Sequence, residues 1–153
     1  MFITNVSPTT GPGLLHIDFD LAMAKLIHTM IRVRNLDASL RFYDEVFNLK
    51  PSHRLDFSDF SLVYLRNEET DAEIELTWNK GRDEPYTHGD GYGHVAVVVP
   101  DVPKRHAELI AAGYSPLPVK EFKDGDALLA RFFFIQDPDG YKIEVLESHG
   151  HYH

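Results

Sequence analysis

The chain carries one pattern twice. His28-Thr29-Met30-Ile31-Arg32-Val33 and His94-Val95-Ala96-Val97-Val98-Val99 each open on a histidine and continue as a strand-like run. Seven residues beyond each histidine stands a helix-capping type, Asn35 in one case and Asp101 in the other. Helical spacing follows: Leu40, Tyr43, Val46 and Phe47 in the first half, Ala107, Ile110 and Ala111 in the second. Asn48-Leu49-Lys50-Pro51 closes the first helix and Gly113-Tyr114 the second. Each half then shows two further strand-like runs, at 61–65 and 73–78 in the first and at 131–135 and 141–146 in the second. Turn chemistry joins them, at 67–71 and at Asp137-Pro138-Asp139-Gly140. A strand–helix–strands order repeated once restricts the fold to two similar α+β modules.

Strand periodicity then decides which side chains share a face. His28, Met30 and Arg32 lie together, as do Glu73, Glu75, Thr77 and Asn79, and Lys142, Glu144 and Leu146. Ile74, Leu76 and Trp78 back the first glutamate strand, and Tyr141, Ile143 and Val145 the second. His94 shares its side with Ala96 and Val98, which predicts a partly enclosed pocket floor. Taken singly, each histidine reads as a hydrogen-bonding residue and each glutamate as a solvated one. Together, His28 with Glu75 and His94 with Glu144 occupy matching places at closely similar separations. Two imidazoles and two carboxylates form a donor set for a divalent metal. His88 and His106 lack matching partners, His16 and His53 fall in segments without a clear pattern, and His149, His151 and His153 read as a loose, solvated tail.

Composition narrows the partners. The chain has 153 residues, one domain's worth, with 24 acidic against 15 basic. That balance argues against nucleic acid or an anionic membrane surface. No cysteine is present, so disulfides, thiolate metal sites and cysteine nucleophiles are excluded, and a cytoplasmic location is expected. No apolar run approaches the ~18 residues of a membrane span, and no positive start precedes the apolar residues of 1–25, so neither span nor signal peptide is expected. Residues 1–25 read as an N-terminal extension of unreadable role, with an extra element at 14–25. Residues 26–148 read as the duplicated domain, with modules at about 26–80 and 91–148, and 149–153 as a His-rich tail.

Several stretches are more specific than the pattern. His28-Thr29-Met30-Ile31-Arg32-Val33, Leu40-Arg41-Phe42-Tyr43, Ala72-Glu73-Ile74-Glu75-Leu76-Thr77-Trp78-Asn79, Tyr92-Gly93-His94-Val95-Ala96 and Asp137-Pro138-Asp139-Gly140-Tyr141-Lys142-Ile143-Glu144 span nearly all of the duplicated part. In these the chain resembles glyoxalase I, the lactoylglutathione lyases of the vicinal-oxygen-chelate superfamily, and its bacterial-type branch in particular.

The resemblance implies paired βαβββ modules whose curved mixed sheets enclose a metal. It implies a homodimer that completes the site, one chain supplying His28 and Glu75 and the other His94 and Glu144. The implied reaction isomerises the hemithioacetal of methylglyoxal and glutathione to S-lactoylglutathione through an enediolate. Glu144 would be the base and Glu75 the more permanent ligand. Arg32, ~13 Å along its strand from His28, matches the residue that grips a glutathione carboxylate, and Asn79 matches an amide contact. Lys123 stands for the basic residue expected before the last hairpin. Asp90 occupies a place that is basic in some members. A histidine at position 28 points to nickel, with zinc or cobalt as alternatives, although imidazole and carboxylate donors suit several first-row metals.

Competing readings on the same scaffold are an extradiol dioxygenase, with two histidines and one glutamate around iron, and a thiol transferase or epimerase. A metal-free binding module is a third. Glu75 and the Arg32–Asn79 pair speak against the first, and the complete His/Glu set speaks against the last.

Overall fold

A computed structural model describes residues 24–153, so most of the predicted N-terminal extension lies outside the described residues. The elements run β1 (His28–Val33), α1 (Leu36–Phe47), β2 (Lys50–Asp56), β3 (Phe60–Arg66), β4 (Glu73–Asn79), then β5 (Val95–Val99), α2 (Val102–Ala111), β6 (Lys120–Asp124), β7 (Ala127–Gln136) and β8 (Lys142–Glu147). They form two four-stranded mixed sheets, ordered β1-β4-β3-β2 and β5-β8-β7-β6. The second sheet repeats the first strand for strand. In each, the first and last strands of the module in sequence, β1 with β4 and β5 with β8, pair in parallel, and the remaining pairs are antiparallel.

Both helices start where the capping residues stand. Asn35 accepts from the Ala38 N–H at 3.0 Å and Asp101 from the Lys104 N–H at 2.8 Å, satisfying donors that the first helical turn leaves open. Asn48 ends α1 in the left-handed region at φ 52°, where its N–H reaches the carbonyls of Tyr43 and Asp44.

The expected apolar face of α1 is inward: Tyr43 and Val46 are buried and Leu40 and Phe47 half-buried. In α2 the helix is present but turned. Val102 and Leu109 are its buried residues, while Ala107, Ile110 and Ala111 face out. Polar side chains occupy part of its inner side, which hides the period. His106 lies edge-on to Phe133 with Nε2 at 3.0 Å from the Leu117 carbonyl, and Arg105 donates to the Val46 carbonyl at 2.6 Å across the modules.

Two strands, β2 and β6, went unread in the periodicity, although the resemblance implied a third strand after each helix. Both lie at sheet edges with every residue exposed, so no buried face imprints an alternation on them. The tail differs from the loose end expected of it: a bridge pairs His149 with Tyr152, and His149 Nε2 lies 2.9 Å from the Leu128 carbonyl.

One continuous core joins the modules. It takes in Tyr43 and Val46 of α1, Leu109 of α2, and the inner faces of both sheets through Val33, Leu76, Phe133 and Val145. Burial at nearly zero exposure on this scale supplies the main favourable energy of folding. Its consequence for the site is directional. Helices and the main core cover one face of each sheet. No helix covers the opposite faces, which carry the four candidate ligands, and Tyr152 of the tail packs against Ala130, Phe132 and Leu146 on the second.

Candidate metal centre

Register brings each histidine to its glutamate by the same construction twice. Met30 lies directly beside Glu75 across β1 and β4, so His28, two residues earlier on the same face, reaches the carboxylate diagonally. Ala96 lies beside Glu144 across β5 and β8, and His94, one residue before β5 begins, reaches it likewise. His28 Nε2 stands 3.1 Å from Glu75 Oε2, and His94 Nε2 stands 3.1 Å from Glu144 Oε2. An aromatic ring backs each imidazole edge-on: Tyr64 at 5.6 Å from His28 and Phe134 at 5.5 Å from His94. These rings are the direct cross-strand neighbours of the two glutamates.

The immediate surroundings differ. Glu75 is buried and its Oε1 accepts from Thr77 Oγ1 at 3.1 Å. Burial, followed by the charge of Glu75 and a hydrogen bond to it, raises the Tyr64 phenol above its ordinary range. The second module has Leu146 and Phe134 at the corresponding places. Thr77 and Tyr64 were not singled out from sequence as site residues. The signal that would find them is register: Thr77 shares the Glu75 face, and Tyr64 faces it across the strands.

The other candidates lie at graded distances. Arg32 is exposed on the His28 face, and no carboxylate among the described residues pairs with it. Asn79 donates through Nδ2 to the Tyr86 hydroxyl at 2.9 Å, and the Arg82 guanidinium sits 4.2 Å over the Tyr86 ring. Lys123 is exposed on β6, paired to Glu121 at 2.8 Å. It faces Leu128, six positions along β7 from Phe134, hence about 20 Å from its own chain's Glu144. His88 stacks on Tyr141 at 4.0 Å, and His53 tilts against Tyr64 at 5.9 Å.

The donor pairs suit a divalent ion. Two ligands about 2.1 Å from one ion and at right angles to each other lie about 3.0 Å apart, close to the spacing seen in both pairs. A His N–H···carboxylate hydrogen bond would show the same spacing, so the argument rests on its occurring twice on equivalent frames. Within one chain the pairs stay separate: among the described residues no three His, Asp or Glu side chains gather as a metal site. The pocket floor expected at His94 is open, with Ala96 and Val98 exposed, and neither main cleft, of about 340 and 1220 Å³, is lined by any of the four ligands. Each sheet therefore presents one His–Glu pair on the face that no helix covers.

The family model of the Glyoxalase/Bleomycin resistance protein/Dioxygenase superfamily matches residues 25–145. The chain belongs to this superfamily. Within the glyoxalase superfamily it is 38% identical over 130 residues to the lactoylglutathione lyase of Haemophilus influenzae, covering 81% of this chain and 93% of that protein. Among solved structures, the glyoxalase I of Leishmania major, described as trypanothione-dependent, superposes with a TM-score of 0.65 at 33% identity, covering 82% of this chain and 87% of that one. The glyoxalase I of Zea mays gives 0.71 at 30% identity, covering 80% of this chain and 44% of the maize chain. The two-module α+β architecture expected from the duplication is thus the architecture of this glyoxalase-fold chain. No described helix is long and apolar enough to cross a membrane.

Proposed function

We propose that this chain is a lactoylglutathione lyase, converting the methylglyoxal–glutathione hemithioacetal to S-lactoylglutathione and so removing methylglyoxal. The observation that carries this reading is the pair of His–Glu couples, alike in register and in their 3.1 Å spacing, in a chain 38% identical to a named lactoylglutathione lyase.

The active unit in this reading is a homodimer. The His28–Glu75 face of one copy meets the His94–Glu144 face of the other, covering Met30 and Val98, which are 40% and 43% exposed in the single chain. His28, Glu75, His94 and Glu144 would hold a divalent ion, nickel by preference and zinc or cobalt as alternatives, which would supply Lewis-acid stabilisation of the negative charge that develops as the proton leaves. Glu144 takes the proton from the carbon bearing sulfur and returns it to the neighbouring carbon. Glu75 stays in place as a ligand and assists the return. Arg32 and Asn79 grip the glutathione part, and Lys123 is the basic residue proposed for its far end, about 20 Å along the sheet from Glu144. No thiol of the protein takes part, in keeping with a chain that has no cysteine and with a cytoplasmic setting. The modules act as units at about 26–80 and 91–148, with no nucleic acid or membrane partner.

The test is metal reconstitution. Stripped protein is given Ni2+ or Zn2+, and thioester absorbance is followed from methylglyoxal and glutathione. Activity that returns with metal and is lost in Glu144→Gln supports the lyase. Oxygen uptake with catechols and no thioester would replace it with a dioxygenase.

A further inference from the structure

We infer that Thr77, with Tyr64 beside it, is a positioning residue that makes the two carboxylates unequal, holding Glu75 as the standing ligand and leaving Glu144 free to swing. The inference deepens the lyase reading and rests on it for the identity of the moving group.

The two modules agree in strand order, in the diagonal His–Glu placement and in the edge-on ring behind each imidazole. They part at two hydroxyls. Thr77 Oγ1 donates to Glu75 Oε1 at 3.1 Å while His28 faces Oε2 at the same distance, so each oxygen has its own partner. Thr77 is itself buried, at 8% exposure, so water competes poorly for this bond. Two residues beyond Glu144 stands Leu146, which joins Ala130, Phe132 and Phe134 in a small apolar cluster and has no donor to offer. Tyr64 lies directly across from Glu75, and Phe134 directly across from Glu144, the same ring without its hydroxyl. Among the described residues His94 is the one polar side chain bonded to Glu144.

The consequence is mechanical. A carboxylate anchored through one oxygen keeps its other oxygen aimed where the ion sits, and rotating it breaks a buried hydrogen bond. A carboxylate held only on the ion side turns about its terminal torsion, which is broad, at little cost. Proton abstraction needs a carboxylate that can tilt from the ion toward a substrate carbon. The hydroxyls sit on the glutamate that does not have to move. Near-symmetric ligands thus acquire different tasks from neighbours that do not touch the ion.

Three variants test this on Ni2+ affinity, measured by chelator competition without substrate, and on kcat and KM. Thr77→Val keeps shape and removes the hydroxyl; it should bind Ni2+ at least about tenfold more weakly, the lower end for loss of an outer donor. Thr77→Ser should bind like the parent protein. Leu146→Thr combined with Phe134→Tyr transfers the hydroxyls to the Glu144 side; it should tighten Ni2+ binding and lower kcat with KM little changed. Unaltered affinity in Thr77→Val, or an equal loss in Thr77→Ser, overturns the inference. Should Thr77→Val fail to fold, the transferred pair decides alone, and an unchanged kcat there is equally fatal. Parent protein that binds Ni2+ but forms no thioester would remove the lyase reading while leaving the affinity comparison valid. Parent protein that is active beside an indifferent Thr77→Val would do the reverse.

Discussion

The Tyr43 hydroxyl donates to Asp137 Oδ2 at 3.1 Å inside the protein, tying α1 of the first module to the turn that launches β8 of the second. Asp137 also accepts from the backbone N–H groups of Asp139 and Tyr141, at 3.0 and 2.9 Å, and so shapes the turn leading to Glu144. Gly140 in that turn sits at φ 86°, a conformation few other residues adopt at low cost. Tyr43→Phe strips a donor from a buried carboxylate and should destabilise the fold by about 1–3 kcal/mol. Chemical denaturation measures it, and an unchanged midpoint at equal m-value would show that the bond contributes nothing.

Asp137 adds a pH dependence of definite sign. Burial first of all raises its carboxyl above the ordinary range, against the lowering effect of its hydrogen bonds. The folded state therefore holds the proton to higher pH than the unfolded chain, whose Asp titrates near about 3.9. Stability from this group falls as pH rises from about 3.9 through the raised folded value. Relative to Asp137→Asn, which does not titrate, the parent protein should lose unfolding free energy over that interval and keep a constant difference above it. A difference that grows in the parent's favour with rising pH would reverse the assignment.

His94→Ala removes half of one donor pair and leaves Glu144 without its imidazole neighbour. It should abolish metal retention through gel filtration. A variant that still carries stoichiometric nickel by elemental analysis would take His94 out of the ligand set.

Arg32 stands two strand positions beyond Met30 on the ligand face, exposed and far enough from the ligands to touch substrate only at a distance from the reacting carbons. Arg32→Ala should raise KM for the glutathione adduct roughly tenfold or more, the scale of one lost charged hydrogen bond, with a smaller fall in kcat. The opposite division would move Arg32 next to the chemistry.

Val98 and Met30 offer a direct probe of the joined faces. A carboxylate at either exposed position would be buried against the other copy without a partner, at a cost of several kcal/mol. Val98→Glu should sediment as a folded monomer and lose high-affinity nickel binding. A variant that remains dimeric with its metal intact would place the interface elsewhere.

Much of this molecule is written in its periodicity. The duplication, both helix starts at Asn35 and Asp101, the strands with one buried face and the sides taken by His28, Glu75, His94 and Glu144 all follow from local spacing, because a face packed on a core imprints its period on the residues that form it. Strands β2 and β6 left no such imprint, since every one of their residues stays exposed in the single chain and neither side is buried. The inner side of α2 was obscured by Arg105 and His106, polar residues satisfied by carbonyls outside the helix, at Val46 and Leu117. Other facts needed the chain folded. Only strand pairing sets Tyr64 beside Glu75 but Phe134 beside Glu144, and only the packed core keeps the two His–Glu pairs apart on separate sheets. Both are relations between distant segments, and no local spacing encodes which partner a face will meet.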